Sequence, residues 1–246
     1  MRTIFATICT TSFQGRWNNS HNIDFIGLVN SFKKSHQGYE LIVFDEKDLK
    51  KYGLGFLNPK ATFGRILKER NPDANVCIID ADTYIFARME EILAADYDIA
   101  CPANYNITGN NVGIKVTSGI HGEGNKQWLV DEHQFLQGGL VASPSLFFWN
   151  HYEDAVKKHN NKFLCFENDV LNIVAYTYPY KVKMLTHPYY GCNILGLEQN
   201  CTVKDNKLMC GAHQVKAYHF AHGSAKRKYT DIFPQETHSF IESIIN

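Results

Sequence analysis

Val76-Cys77-Ile78-Ile79-Asp80-Ala81-Asp82-Thr83-Tyr84-Ile85-Phe86 is an apolar run that ends in two carboxylates one residue apart. The run lacks 3.6-residue periodicity and is too short for a core helix, so Val76 to Ile79 reads as a central strand covered on both faces. Ligands of open α/β sheets gather beyond the ends of such strands. Asp80 and Asp82 are like charges held close together, which is costly unless a cation or strong donors compensate them. Their hard oxygens suit Mg²⁺ or Mn²⁺, and a diphosphate commonly completes that coordination sphere. Asp-x-Asp also arises by chance, and Asp after a strand is an ordinary turn or cap residue. The pair therefore takes its meaning from the rest of the chain.

Upstream, Ile4 to Cys9 reads as a first strand, Ile23 to Ser35 as a helix and Tyr39 to Phe44 as a second strand. Lys60 to Arg70 reads as a helix that stops at Asn71-Pro72, because proline disfavours helical backbone in the residue before it. Downstream, a short helix precedes a strand over Tyr97 to Pro102. This alternation predicts a parallel, Rossmann-like sheet in the first hundred or so residues. From Asn104 to His133 the chain is rich in Asn and Gly and longer than a routine connection, as binding loops are. Leu136 to Pro144 then reads as a glycine-bearing strand and Phe147 to His159 as an amphipathic helix. Glu167-Asn168-Asp169-Val170-Leu171-Asn172 opens a helix running toward Tyr176, and Asn168 and Asp169 have the chemistry of either caps or site residues.

The 246 residues suffice for a full core and fit one α/β domain better than two small ones. Lys plus Arg and Asp plus Glu balance at 25 each, so no global field attracts nucleic acid or an anionic membrane. The first residues turn polar at Thr10 to Asn22, before a signal-peptide core or membrane span could form, and this predicts a cytoplasmic protein. Seven cysteines without a Cys-x-x-Cys pair point to free thiols.

Near the end a strand over Val215 to Phe220 runs into Ala221-His222-Gly223-Ser224-Ala225-Lys226-Arg227-Lys228. A histidine here could complete an Asp/Asp metal site, Gly223 would let backbone approach a phosphate, and Lys226 would neutralise its charge. The duller alternatives are a hydrogen-bonded core histidine and a solvated basic turn.

Taken together, four segments resemble the metal-dependent glycosyltransferases of the GT-A fold, especially glycosyltransferase family 8, which includes glycogenin and bacterial lipopolysaccharide galactosyltransferases. Ile79-Asp80-Ala81-Asp82-Thr83 resembles the Asp-x-Asp segment of that family. Phe135-Leu136-Gln137-Gly138-Gly139-Leu140-Val141 resembles its Phe-Asn-x-Gly-hydrophobic strand, and Glu167 to Asn172 its Asp-Gln-Asp-hydrophobic-Leu-Asn helix start. His219-Phe220-Ala221-His222-Gly223-Ser224-Ala225-Lys226 resembles the His-Phe-x-Gly-x-x-Lys-Pro-Trp ending, with one extra residue between His219 and Gly223 and no Pro-Trp after Lys226. Asn168 stands where the family has glutamine, and Thr10 to Trp17 lacks its nucleotide-binding spelling.

The resemblance implies an α/β fold: one GT-A (Rossmann-like) domain, residues 1–246, with a mixed, mainly parallel central sheet flanked by helices. Residues 1–103 would be the nucleotide-binding half, and 104–246 the half that binds acceptor and completes the metal site. It implies transfer of a sugar from a nucleotide diphosphate donor, UDP-linked, to a hydroxyl of a glycan or other acceptor, with retention. Mn²⁺ or Mg²⁺ would be held by Asp80, Asp82 and His219, with His222 as the alternative imidazole. Donor contacts would fall on Thr7, Thr10, Thr11, Arg65, Asp80, Ala81, Gln137, Gly138, Gly223 and Lys226, with Phe13 or Trp17 as a platform for the base. Asn168 and Asp169 would be the catalytic residues, while Trp128 and His121 would meet the acceptor. An inverting enzyme would instead need a base, for which Asp169, Glu167 and Asp131 are the candidates. Nucleotidyl transfer fits less well, since Thr10 to Arg16 offers one glycine and one arginine for a triphosphate. The non-catalytic alternatives are an inactive nucleotide-sugar binder and a zinc-stabilised module built on Cys192, Cys201, Cys210 and His213.

Overall fold

A computed structural model describes residues 1–9, 21–54, 59–103, 136–159, 167–186, 190–192, 198–220 and 229–246. In chain order the elements are β1 (Arg2–Ile8), α1 (His21–Ser35), β2 (Leu41–Phe44), α2 (Glu46–Lys51), α3 (Pro59–Arg70), β3 (Ala74–Asp80), β4 (Thr83–Ile85), α4 (Glu90–Ala94) and β5 (Ile99–Pro102). There follow β6 (Leu140–Ser143), α5 (Leu146–His159), α6 (Glu167–Thr177), β7 (Val182–Leu185), β8 (Tyr190–Cys192), β9 (Cys201–Lys204), β10 (Lys207–Cys210), β11 (His213–Gln214), β12 (Ala217–His219), α7 (Tyr229–Ile232) and α8 (His238–Ile245).

Six strands make the central sheet in the order β2-β1-β3-β6-β5-β7. β1 is parallel to β2 and β3, and β5 is parallel to β7, while β6 is antiparallel to both β3 and β5. The sheet is therefore mixed and mainly parallel, as expected, and β6 is its reversed strand. The strand read over Leu136 to Pro144 is shorter than its apolar pattern suggests. Regular pairing starts at Leu140, and Leu136 makes an isolated bridge to Ala103.

Period-two alternation assigns the side chains of β1 and β3 to two cores. Ile4, Ala6, Val76 and Ile78 face α3, α5 and α6, packing on Phe63, Ile66, Trp149, Tyr152 and Leu171. Phe5, Cys77 and Ile79 face α1 and α4, packing on Leu28, Phe32 and Ile92. Asp80 continues the parity of Val76 and Ile78 and so emerges on the α3 side of the sheet. Burial of each such Leu, Ile or Phe side chain is worth roughly 1.5–3 kcal/mol, so a one-residue slip of β3 would forfeit both cores at once.

The course of α3 follows from its ends. Pro59 occupies the first turn, where a missing N–H costs nothing. At the other end Asn71 Nδ2 donates to the Leu67 carbonyl (3.0 Å), and Lys68 Nζ donates to Pro72 (2.6 Å) and Ala74 (2.7 Å) oxygens. The Lys68 bonds tie the last turn of α3 to the chain that enters β3. Gly64 lets α3 approach α5, since a Cβ there would collide with the Trp149 ring.

Two smaller sheets complete the structure, ordered β4-β12-β8 and β11-β10-β9. The β9–β10 hairpin turns at Asp205 and Asn206, both with positive φ (50° and 56°), as a two-residue turn of matching twist requires. The strand read over Val215 to Phe220 is realised as β12, between β4 and β8. Among the described residues no helix is long and apolar enough to cross a membrane.

His36 closes the α1 core. It is fully buried, stacked on Phe32 at 5.0 Å and edge-on to Phe5 and Tyr39. Its Nε2 accepts from the Met89 N–H (3.2 Å), so Nδ1 carries the proton and donates to Ser35 Oγ (2.9 Å). Burial, and then the charge of Arg88, lower its pKa from 6.5 to about 4. Between those two values the unfolded chain binds a proton that the native state refuses. The contribution of His36 is thus full above about pH 6.5 and is lost as the pH falls toward 4. Urea unfolding of wild type and His36→Gln across pH 7.5 to 4 tests this. Wild type should lose on the order of 2 kcal/mol more than the variant over that window, and equal losses would refute the assignment.

Candidate functional site

The acidic pair lies where β3 leaves the sheet. Asp80, Ala81 and Asp82 are half-buried at this tip, after which Thr83 enters β4. β4 pairs antiparallel with β12 in a register that sets His219 opposite Thr83 and so brings an imidazole to the carboxylates. The backbone locks this turn, since Phe220 N–H donates to the Asp82 carbonyl (2.9 Å) and Asp80 N–H to the Gly139 carbonyl (2.8 Å). His219 Nε2 lies 3.1 Å from Asp82 Oδ1 and 3.5 Å from Asp80 Oδ2.

Ligand atoms of Asp80, Asp82 and His219 all fall within 4.8 Å of one another. Two carboxylate oxygens and one imidazole nitrogen converging from a strand tip and a neighbouring strand fit a divalent cation with room left for further ligands. Among the described residues this is the one group of three or more His, Cys, Asp or Glu side chains so arranged. Cys201, Cys210 and His213 are aligned across the β9–β10–β11 sheet but do not form such a group, and the Cys192 side chain lies outside the description.

The cation already at this site is one the sequence reading passed over. Lys60, in the first turn of α3, is 2% exposed, with Nζ 2.8 Å from Asp80 Oδ1 and donating to the Gly138 carbonyl as well. Burying an ammonium costs several kcal/mol unless it is paired and hydrogen-bonded, and both conditions are met. Arg65, expected to reach the donor, is turned elsewhere. Its Nε bonds Glu153 Oε2 of α5 (2.6 Å) and its guanidinium also bonds Glu69 (2.6 Å). Burial raises the Glu153 carboxyl, but hydrogen bonds from Arg65 and Thr62 outweigh it and hold the group below its ordinary value. Arg65 therefore fastens α3 to α5 and is not part of the acidic cluster; five residues from Lys60 it falls on another side of the helix.

Residues 136–139 form the opposite wall. Asn172 of α6 accepts from the Leu136 N–H through Oδ1 (2.7 Å) and donates to the Leu136 carbonyl through Nδ2 (2.8 Å), much as a neighbouring strand would. One turn earlier Asn168 Oδ1 accepts from the Gly138 N–H (2.7 Å). Gln137 is buried and its N–H donates to the Pro102 carbonyl (2.8 Å). Asp169 is 1% exposed, and Thr7 is fully buried within β1. Gly139 lies directly against the His219 ring, so that an added Cβ would overlap the imidazole. Thr10, Thr11, His222, Gly223 and Lys226 lie outside the described residues, as do Phe13, Trp17, His121, Trp128 and Asp131.

No protein-family model matches this sequence, and no curated protein does. Solved structures match in fold. One is the bifunctional glycosyltransferase WbbM in an apo structure, with TM-score 0.55 and 12% identity over 99% of this chain and 49% of that one. This chain thus spans about half the length of WbbM. Another is the galactosyltransferase LgtC in complex with donor and acceptor sugar analogs, with TM-score 0.54 and 11% identity over 100% of this chain and 97% of that one. The chain has the GT-A fold of these glycosyltransferases.

Gly139 supplies the test of this geometry. Gly139→Ala should displace the His219 ring while leaving both cores packed. The expected result is at least about tenfold weaker Mn²⁺ binding with an unchanged far-ultraviolet circular dichroism spectrum. Unaltered metal affinity in this variant would show that the imidazole is not positioned by the glycine.

Proposed function

We propose that the chain is a metal-dependent glycosyltransferase that moves a sugar from a UDP-linked donor to a hydroxyl of a glycan or other acceptor, with retention at the anomeric carbon. The observation that carries this reading is the convergence of Asp80, Asp82 and His219 at the tip of the central strand of a GT-A fold. In this reading the chain is one GT-A domain. Residues 1–103 hold the nucleotide, through Thr7, Thr10 and Thr11 and the Asp80-Ala81-Asp82 turn, while 104–246 receive the acceptor and supply His219.

Mn²⁺ or Mg²⁺ at the site would stabilise the negative charge of the departing diphosphate. The single imidazole among hard oxygens favours Mn²⁺ over Mg²⁺, which prefers oxygen alone. Gly223 and Lys226 would approach the phosphates from the segment after β12. Gln137 and Gly138 would border the sugar. Asn168 Oδ1 accepts from the Gly138 N–H, and its Nδ2 group can serve as a donor. A donor suits orienting a sugar hydroxyl or the leaving oxygen, and does not suit a nucleophile. Asp169 would add negative charge behind it, where an oxocarbenium-like centre gains from it.

Thermal unfolding with UDP, GDP, CDP or dTDP, each with and without Mn²⁺, tests the proposal. UDP together with Mn²⁺ should raise the Tm by about 5–10 °C at a hundredfold excess over Kd, and neither should do so alone. Asp82→Ala should fold and lose the response, its donor affinity falling at least about 100-fold. A response to another nucleotide would reassign the donor, and no response to any of them would reject the transferase reading.

A further inference from the structure

Lys60 has a place in the site that goes beyond supporting the fold. Its ammonium is buried, yet it is spent on one oxygen of a carboxylate whose side chain is 31% exposed and whose other oxygen faces His219. Asp80 is thereby divided, with Oδ1 held by Lys60 and Oδ2 left toward the imidazole. The same ammonium donates to the Gly138 carbonyl while Asn168 takes the N–H of Gly138, so this residue is gripped on both sides. Among the described residues, the two negative charges of the acidic pair thus meet the fixed positive charge of Lys60 before any ion arrives. An ion bound at Asp80 Oδ2 would feel that ammonium at short range, in a partly buried setting where screening is weak. A diphosphate reverses the balance, because its charge attracts both the ion and the ammonium.

We infer that Lys60 is a positioning and counter-charge residue. It presents Asp80 to the metal through a single oxygen, and it weakens binding of the bare ion so that the metal is retained well only together with a nucleoside diphosphate. The inference rests on the metal-centre reading above and adds to it an order of occupancy, with ion and donor held together and the ion alone held poorly.

The test measures free Mn²⁺ by electron paramagnetic resonance during titration of wild type, Lys60→Met and Lys60→Gln at pH 7.5, with and without UDP. Lys60→Gln keeps a hydrogen-bond donor for the Gly138 carbonyl, so it remains informative if loss of that bond unfolds Lys60→Met. Wild type should bind Mn²⁺ weakly alone and at least about 100-fold more tightly with UDP. The uncharged variants should bind Mn²⁺ alone at least about tenfold more tightly than wild type, and the gain from UDP should shrink by a similar factor. A purely structural lysine would not improve affinity when removed. Unchanged or weaker binding of Mn²⁺ alone by a folded variant, in a protein whose wild type shows the UDP coupling, overturns the Lys60 inference and leaves the transferase reading standing. Absence of Mn²⁺ binding by wild type with or without UDP overturns both.

Discussion

Two carboxylates cannot sit at the end of a buried strand without compensation, and how they are compensated organises the surrounding structure. Asp80 and Asp82 are held at the edge of the core because β3 is apolar from Val76 to Ile79 and fills two cores. Their repulsion is met by an ammonium from α3 on one side and an imidazole from β12 on the other. Each partner has to be delivered by an element anchored elsewhere. α3 is held by its packing on α5 and by the Arg65–Glu153 and Thr62–Glu153 bonds. β12 is held by β4 and β8 and by the aromatic contacts of Tyr218 with Phe220 and Phe233, at 4.9 Å each. The third core, around Leu208, Tyr218, Phe233 and Ile241, sits beyond the central sheet and carries the strand that ends in His219.

Much of this was legible in the sequence, for a physical reason. A strand buried on both faces is mostly apolar, so the run Val76 to Ile79 and the polar break after it stand out without any tertiary knowledge. The same logic located β1, α1, α3, α5 and α6 to within a few residues. His219 was recognisable as part of a motif, and the register of β12 against β4 explains why that residue reaches the carboxylates. Lys60 was not legible. A lysine following a proline at the start of a helix has the local signature of a solvated residue, and only the packing of α3 against residues 136–139 makes it buried. The partner of Arg65 was hidden for the complementary reason, since Glu153 lies 88 residues away in sequence. The β9–β10 hairpin could have been found from Lys204-Asp205-Asn206-Lys207, where two residues tolerant of positive φ separate two short apolar–polar alternations.

The reversed direction of β6 is what lets the second wall exist. A strand parallel to β3 would begin at the far edge of the sheet, and the residues preceding it would lie away from Asp80. Running antiparallel, β6 begins at the edge where β3 ends, with Leu140 opposite Ile79. Residues 136–139 therefore pass over the acidic tip immediately before entering the sheet. There the backbone is held by several elements in turn, with Leu136 on Asn172, Gln137 on Pro102, Gly138 between Lys60 and Asn168, and Gly139 under His219 while bonded to Asp80. A side chain at Gly139 would occupy the volume of the imidazole, so the small residue is required by the histidine and not by the turn. The mixed sheet, the glycine and the convergence of Asp80, Asp82 and His219 are thus one constraint seen at three scales. Topology sets the direction of approach, the approach demands a small residue, and the small residue leaves room for the imidazole.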